Sequence, residues 1–411
     1  MRMAYRCRAY PDPEQRAVLA RTFGCVRVVW NRTLAARHAR YATEGKGTSY
    51  RETDAALTAT KRLPELAWLN EVSSVPLQQT LRHQHSAFSA FFAGRARAPR
   101  FKSRYSRQSA HYTRSAFRLR NGELWLAKTS GPLRLVWSWP RVNLATLDPT
   151  MVIVSRDQAD RWFVTFQVDQ PHPVPLPATG RTVGVDLGLT NFAVLSTGER
   201  LAHPRHAERR EQRLRHYQRV MARRRKGSAN RAKARHKLAR QHARVRDARR
   251  DFLHKSSTRL VRRFDTIVVE DLNVAGMVRN RRLARSISQT GWAELRALLV
   301  YKADRAGRRL LVVDRWFPSS KTCWACGHLL ATLGLGTRTW VCPSCGARHD
   351  RDVNAAKNIL AAGLAVAAGS DPSGRACGDG VSHSGATSVQ SSVQSSMKQE
   401  PLIVRPGLPV L

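Results

Sequence analysis

Four cysteines and three carboxylates carry the residue types and spacing that suit chemistry. Cys323-x-x-Cys326 and Cys342-x-x-Cys345 are two pairs separated by fifteen residues, within the spacing of a four-thiolate zinc site. Each pair bends the chain into a tight knuckle, helped by the glycine that follows it (Gly327, Gly346), and two knuckles close a tetrahedron around zinc. Four thiolates leave no position for a substrate water, so this zinc is expected to be structural. His328 and His349 lie nearby, but no imidazole is required. Cys7, Cys25 and Cys377 read as ordinary free thiols in a reduced chain.

The carboxylates are weaker signals one at a time. Asp186 ends the apolar run Val183-Gly184-Val185 and is followed by Leu187-Gly188, and Glu270 ends Ile267-Val268-Val269. Asp352 lies in Asp350-Arg351-Asp352-Val353-Asn354, which opens a helix, and Asp350 is the alternative third acid. A strand-end acid is often merely solvated, and an acid in a first helical turn often serves the cap or the dipole. Taken together they can converge, because acids at adjoining strand ends and one on a following helix can share a point. Clustered carboxylates raise one another's pKa unless cations lie between them. Two magnesium ions about 4 Å apart, bridged by such acids, activate a water and stabilise the leaving oxygen in phosphodiester cleavage.

The charge balance names the matching substrate. Seventy-one Lys and Arg against 29 Asp and Glu give the 411-residue chain a formal net charge of +42. Self-repulsion on that scale is relieved by a polyanion, and nucleic acid gains affinity by releasing its counterions. A hydrophobic fraction of 42% is ordinary for globular domains. The N-terminus has no apolar leader, and the longest weakly polar run, Ile359 to Ala368, is too short to cross a bilayer. These features predict an intracellular protein with no membrane partner.

The elements that must position these residues are readable in outline. Residues 12–41 read as one helix capped by Asp12, with Pro13 first and Leu19, Phe23, Val26, Trp30 and Leu34 on one face. A second helix runs from Pro76 to Phe92 with Leu77, Leu81, Phe88 and Phe92 on one face, and leads into the basic, aromatic loop GRARAPRFKSRYSR. Arg100, Lys102 and Arg104 of that loop suit phosphate contact beside base-stacking rings. Asn121-Gly122 marks a hairpin, and Met151–Val154 with Trp162–Val168 a strand pair. Pro171 to Pro177 is a stiff linker. Beyond it, Thr182–Val185 and Phe192–Leu195 form a hairpin, followed by a basic helical region at 207–262 broken near Gly227. Within that region Leu238, Val245, Phe252 and Leu260 make a packing stripe, and Arg223, Arg224, Arg225, Lys226, Arg231, Lys233, Arg235 and Lys237 offer charge to a phosphate backbone. The strand Ile267–Val269, helix Trp292–Ala306 and strand Leu310–Val313 complete an α/β pattern. From about Ser370 the composition predicts a disordered tail.

GVDLGLTNFAVLSTG, TIVVEDLNVAGM, RWFPSSKTCWACG, WVCPSCGARHDRDVNAAKNIL and the earlier PRFKSR closely resemble the TnpB family, insertion-sequence proteins long labelled transposases and related to type V CRISPR effectors. The resemblance spans about residues 1 to 365 and keeps the family order. It implies a RuvC-like nuclease domain of the ribonuclease H fold over 178–320, with the basic helical region inside it. It further implies a zinc ribbon at 321–346, a last nuclease segment at 347–368 and a tail at 369–411. Residues 1–170 would form a wedge-like β-barrel (hairpins 115–170) with a helical recognition insert (about 12–105). By motif the catalytic, magnesium-holding acids are Asp186, Glu270 and Asp352. The implied activity is cleavage of double-stranded DNA directed by a guide RNA, with pairing supplying the specificity. A strand-transfer transposase using the same acids, and a non-cleaving nucleic-acid-binding regulator, are the alternatives.

Overall fold

A computed structural model describes residues 1–334 and 336–369, so the expected disordered tail lies outside the described residues. The chain divides into two compact units, Met1–Pro171 and a second beginning at His172.

In the first unit β1 (Arg2–Ala9) leads into α1 (Pro13–Glu44). Asp12 accepts from the Gln15 backbone N–H while the Gln15 side chain accepts from that of Asp12, a reciprocal box that starts the helix. Gly45 ends it in the left-handed region at φ 65°. Leu19, Phe23, Val26, Trp30 and Leu34 are all buried, as their spacing predicts. After α2 (Tyr50–Thr60), α3 (Ser74–Phe92) buries Leu77 and Leu81, but its stripe fails at the end, where Phe92 is 75% exposed. There Phe92 meets Phe88 and Phe91 of its own helix. The strands β2 (Gln108–Thr113), β3 (Phe117–Arg120), β4 (Glu123–Leu126), β5 (Leu135–Val136), β6 (Met151–Arg156) and β7 (Trp162–Asp169) follow. They form an antiparallel sheet of order β2-β6-β7-β1-β5 and a separate β3-β4 hairpin. The hairpin turns at Asn121 and Gly122, both at positive φ. Its core is the alternate residues of those strands, including Tyr5, Cys7, Val152, Val154, Val164 and Phe166.

The second unit is built on β8 (Thr182–Leu187), β9 (Asn191–Leu195) and β10 (Arg200–Ala202), an antiparallel run. Next come α4 (Glu211–Ala222), α5 (Ala229–Arg263) and β11 (Thr266–Glu270), which joins β8 in parallel. The short α6 (Val274–Met277) and α7 (Ala284–Thr290), then α8 (Trp292–Ala306) and β12 (Arg309–Val313), complete a sheet of order β10-β9-β8-β11-β12. Asp265, just before β11, accepts from the Thr179 and Gly180 backbone N–H groups just before β8. That clasp starts the two parallel strands together. The chain then forms the ribbon hairpin β13 (Thr339–Val341) and β14 (Arg348–Asp350) and closes with α9 (Arg351–Ala367).

Helix α9 packs across β8, β9, β11 and β12. Two glycines permit its depth. A Cβ on Gly184 of β8 would lie 2.1 Å from the Ala356 carbonyl oxygen, and one on Gly363 would lie 2.3 Å from a Val268 methyl. Any side chain at either position would lift the helix off the sheet.

Candidate functional site

The three acids are brought together by strand order. Val185 of β8 and Val269 of β11 are register partners, and Asp186 and Glu270 are the next residue of each. They therefore leave neighbouring parallel strands, about 4.8 Å apart, at the same end. Carboxyl ends of parallel strands at such a junction are where open α/β sheets place their sites. Helix α9, laid over that end, supplies Asp352 from its first turn.

Electrostatics report the convergence. The Asp186 carboxyl is pushed up to about 8, first by burial, then by the negative charges of Glu270 and Asp352. The Glu270 carboxyl is also raised by burial, an effect opposed by a hydrogen bond from Ser319. A divalent cation would supply the missing positive charge and reverse both shifts. Among the described residues, Cys323, Cys326, Cys342 and Cys345 place their sulfurs within 4.8 Å of one another.

Asp350 and Asp352 have different work. Asp350 is the N-cap of α9: one oxygen accepts from the Val353 N–H at 3.0 Å and the other pairs with Arg200 at 2.6 Å. Both its oxygens are thus engaged in structure. Asp352, two residues on, is the one whose charge acts on Asp186.

Sequence reasoning missed the groups that hold the site. Ser319 Oγ donates to Glu270 Oε1 at 2.6 Å, and Ser319 is buried. Asn354 and Asn358, one turn apart on α9, both donate to the Thr322 carbonyl at 2.7 Å, and Asn358 also donates to that of Ser319 at 2.8 Å. Asn354 Oδ1 accepts from the Trp324 N–H at 2.9 Å, inside the first cysteine knuckle. One network therefore ties Glu270, the knuckle and the helix of Asp352. Its only sequence signal is two asparagines four apart facing a buried sheet, where an unpaired amide would be costly.

The cysteines form a finished cage. Cys323 and Cys345 Sγ are 3.7 Å apart, as are Cys326 and Cys342. A tetrahedron with metal–sulfur bonds of about 2.3 Å requires about 3.8 Å between sulfurs. The four thiols therefore fit zinc. His349 is not a fifth ligand but places Nε2 3.0 Å from Cys323 Sγ, a second contact that fixes the thiolate. Cys7 and Cys25 are buried free thiols, and Cys377 lies outside the described residues.

Of the basic residues, Arg100, Arg104, Arg223, Arg224, Arg225, Lys226, Lys233, Arg235 and Lys237 are exposed. Lys102 instead turns over the Trp30 ring at 3.9 Å, while its backbone is held by Asn31. Arg231 donates to the Met221 and Arg224 carbonyls and closes the turn between α4 and α5. None of the helices is long and apolar enough to cross a membrane, among the described residues.

Residues 165–281 match the IS605 OrfB family model described as a probable transposase, and residues 292–359 match the Cas12f1-like TNB domain. Residues 1–46 match a model described as a helix-turn-helix domain, yet here they fold as a strand and one long helix. A Streptomyces pristinaespiralis protein named "Putative RNA-guided DNA endonuclease" is 52% identical over 100% of this chain and 99% of its own. The InsQ protein of Escherichia coli K12, named in the same terms, is 30% identical over 89% of this chain and 93% of its own. A solved Cas12f1–sgRNA–target DNA complex superposes loosely, with a TM-score of 0.34 and 14% identity over 88% of this chain and 99% of that one. A relative that shares this much sequence over essentially the whole of both chains settles the family: the chain belongs to the TnpB family of insertion-sequence-encoded RNA-guided DNA endonucleases.

Proposed function

We propose that this chain, with a guide RNA, cuts double-stranded DNA at a magnesium site held by Asp186, Glu270 and Asp352. The observation that carries the proposal is the register of β8 and β11, which sets Asp186 and Glu270 side by side at one strand end, with Asp352 in the first turn of the helix packed on those strands. Magnesium prefers such carboxylate oxygens together with substrate phosphate, and a pair of ions supplies an activated water and a stabilised leaving oxygen. The chain's own part is positional. Ser319 fixes one oxygen of Glu270, and α9 presents Asp352 from a turn capped by Asp350.

The sheet order, an antiparallel run of three strands joined to two parallel ones, supports the reading of 178–320 and 347–368 as a RuvC-like nuclease of the ribonuclease H fold. The cysteine cage supports the ribbon at 321–346. We assign residues 1–170 the wedge and recognition role. Its five-stranded sheet and hairpin would contribute the barrel, and α1 to α3 the helical insert. Arg100, Arg104, Arg223, Arg224, Arg225, Lys226, Lys233, Arg235 and Lys237 would contact backbone phosphates, with Lys102 and Arg231 shaping the surfaces that present them.

The test is to sequence RNA that co-purifies with the protein and then challenge the complex with plasmids. Cleavage should require both a sequence matched to that RNA and magnesium, and EDTA should stop it. Cutting without RNA, or cutting that ignores EDTA, would contradict the proposal.

A further inference from the structure

The segment joining β12 to the first cysteine knuckle runs beside the acids. Arg315 pairs with one oxygen of Asp271, the residue after Glu270, and Arg296 of α8 pairs with the other. Ser319 holds Glu270 itself. Between these two anchors, Trp316 is 83% exposed.

This exposure is built rather than loose. The Trp316 backbone N–H donates to the Asp314 side chain at 2.8 Å, and that of Phe317 donates to the Asp314 carbonyl at 3.2 Å. Ser319 N–H donates to the Phe317 carbonyl, and Lys321 and Thr322 N–H to that of Pro318. Phe317 turns inward, against the cluster of Val268, Val313 and Ile359. Its neighbour is thereby turned out. A large indole held in water on a pinned turn has no packing purpose, since folding buries such rings where it can.

We propose that Trp316 is a stacking platform for an unpaired base of the DNA strand delivered to the acids, with Arg315 holding the adjoining phosphate. Every base has a flat face that an aromatic ring can cover, and cationic side chains beside such rings follow the backbone. Each guanidinium has five N–H donors, so an arginine anchored on Asp271 keeps donors for phosphate. Sequence would not be read here, which suits a protein whose specificity comes from pairing. The inference rests on the proposed position of the nuclease site.

The test uses the full chain with its RNA, carrying Asp186→Ala so that nothing is cut, in EDTA. A single-stranded oligonucleotide with 2-aminopurine reports stacking by loss of fluorescence. We expect saturable quenching, binding about tenfold weaker with Trp316→Ala, and binding close to the parent with Trp316→Phe. Equal binding by the Trp316→Ala protein would overturn the proposal and leave the ring to a protein partner. Equal weakening by Phe and Ala would also overturn it, since stacking needs only a ring. Cleavage by the parent Asp186→Ala protein, measured separately in magnesium, would refute the nuclease site without touching the stacking result.

Discussion

The cysteine cage and the acid cluster are opposite ways of bringing like side chains together. The four sulfurs lie within 4.8 Å of one another, two pairs of them 3.7 Å apart, on two local knuckles stitched by their own backbone. The three acids come from two strands and a helix far apart in sequence, and burial and mutual repulsion raise Asp186 to about 8. One cluster completes a local fold; in the function proposed above, the other would take up a cation together with a substrate phosphate. The asparagine pair of α9 ties the first cysteine knuckle to the helix that carries Asp352.

The largest expected effect breaks the cage. Cys342→Ser should abolish zinc retention, measured by elemental analysis, and lower the thermal midpoint of the protein, because metal binding on the order of 10 kcal/mol is coupled to folding. Full zinc content in that variant would sink the ribbon.

Next comes the pH dependence of the acids. A folded-state pKa raised from the ordinary 3.8 to about 8 means the folded chain keeps a proton that the unfolded chain releases. The stability this provides is intact below about pH 4 and is lost progressively up to about pH 8. Asp186→Asn, which cannot ionise, should therefore match the parent at pH 4 in EDTA. By pH 8 it should be the more stable by a few kcal/mol, at up to about 1.4 kcal/mol for each pH unit. Denaturant midpoints would check this, and magnesium should narrow the gap by stabilising the parent. A difference independent of pH would count against the clustered acids.

Smaller effects sharpen the link and the cap. Ser319→Ala removes a hydrogen bond to a charged group, worth about 2 kcal/mol, and should raise the magnesium needed for half-maximal cleavage by up to roughly thirtyfold. An unchanged magnesium curve would make Ser319 irrelevant to Glu270. Asp350→Asn keeps a capping oxygen and loses only the partly exposed Arg200 pair, so it should cost under about 1 kcal/mol and leave cleavage near the parent rate.

What the sequence disclosed followed the range of the interaction. The cysteine pairs, the Asp12 start of α1, the Asn121-Gly122 turn and the strand at Ile267 are local patterns, and each is found where its residues predict. Pairings set by tertiary packing were not readable. Strand β1 has an alternating burial pattern but is masked by its three arginines, and α2 is a short polar helix. Phe92 sits in register with a buried stripe yet is exposed, because nothing in its spacing says where the partner surface ends. Ser319, Asn354 and Asn358 are ordinary polar residues until the fold places them against Glu270 and the knuckle. The same holds for the third acid: DRD offers two, and only the capping geometry separates Asp350 from Asp352.

The central claim is that Asp186, Glu270 and Asp352 form one metal-dependent cleavage site. The most direct measurement compares RNA-loaded parent, Asp186→Ala and Asp352→Asn proteins on a matched plasmid in magnesium, with plasmid binding measured in parallel. The expected result is cleavage by the parent only, with binding nearly unchanged in all three. Normal cleavage by either variant would contradict it.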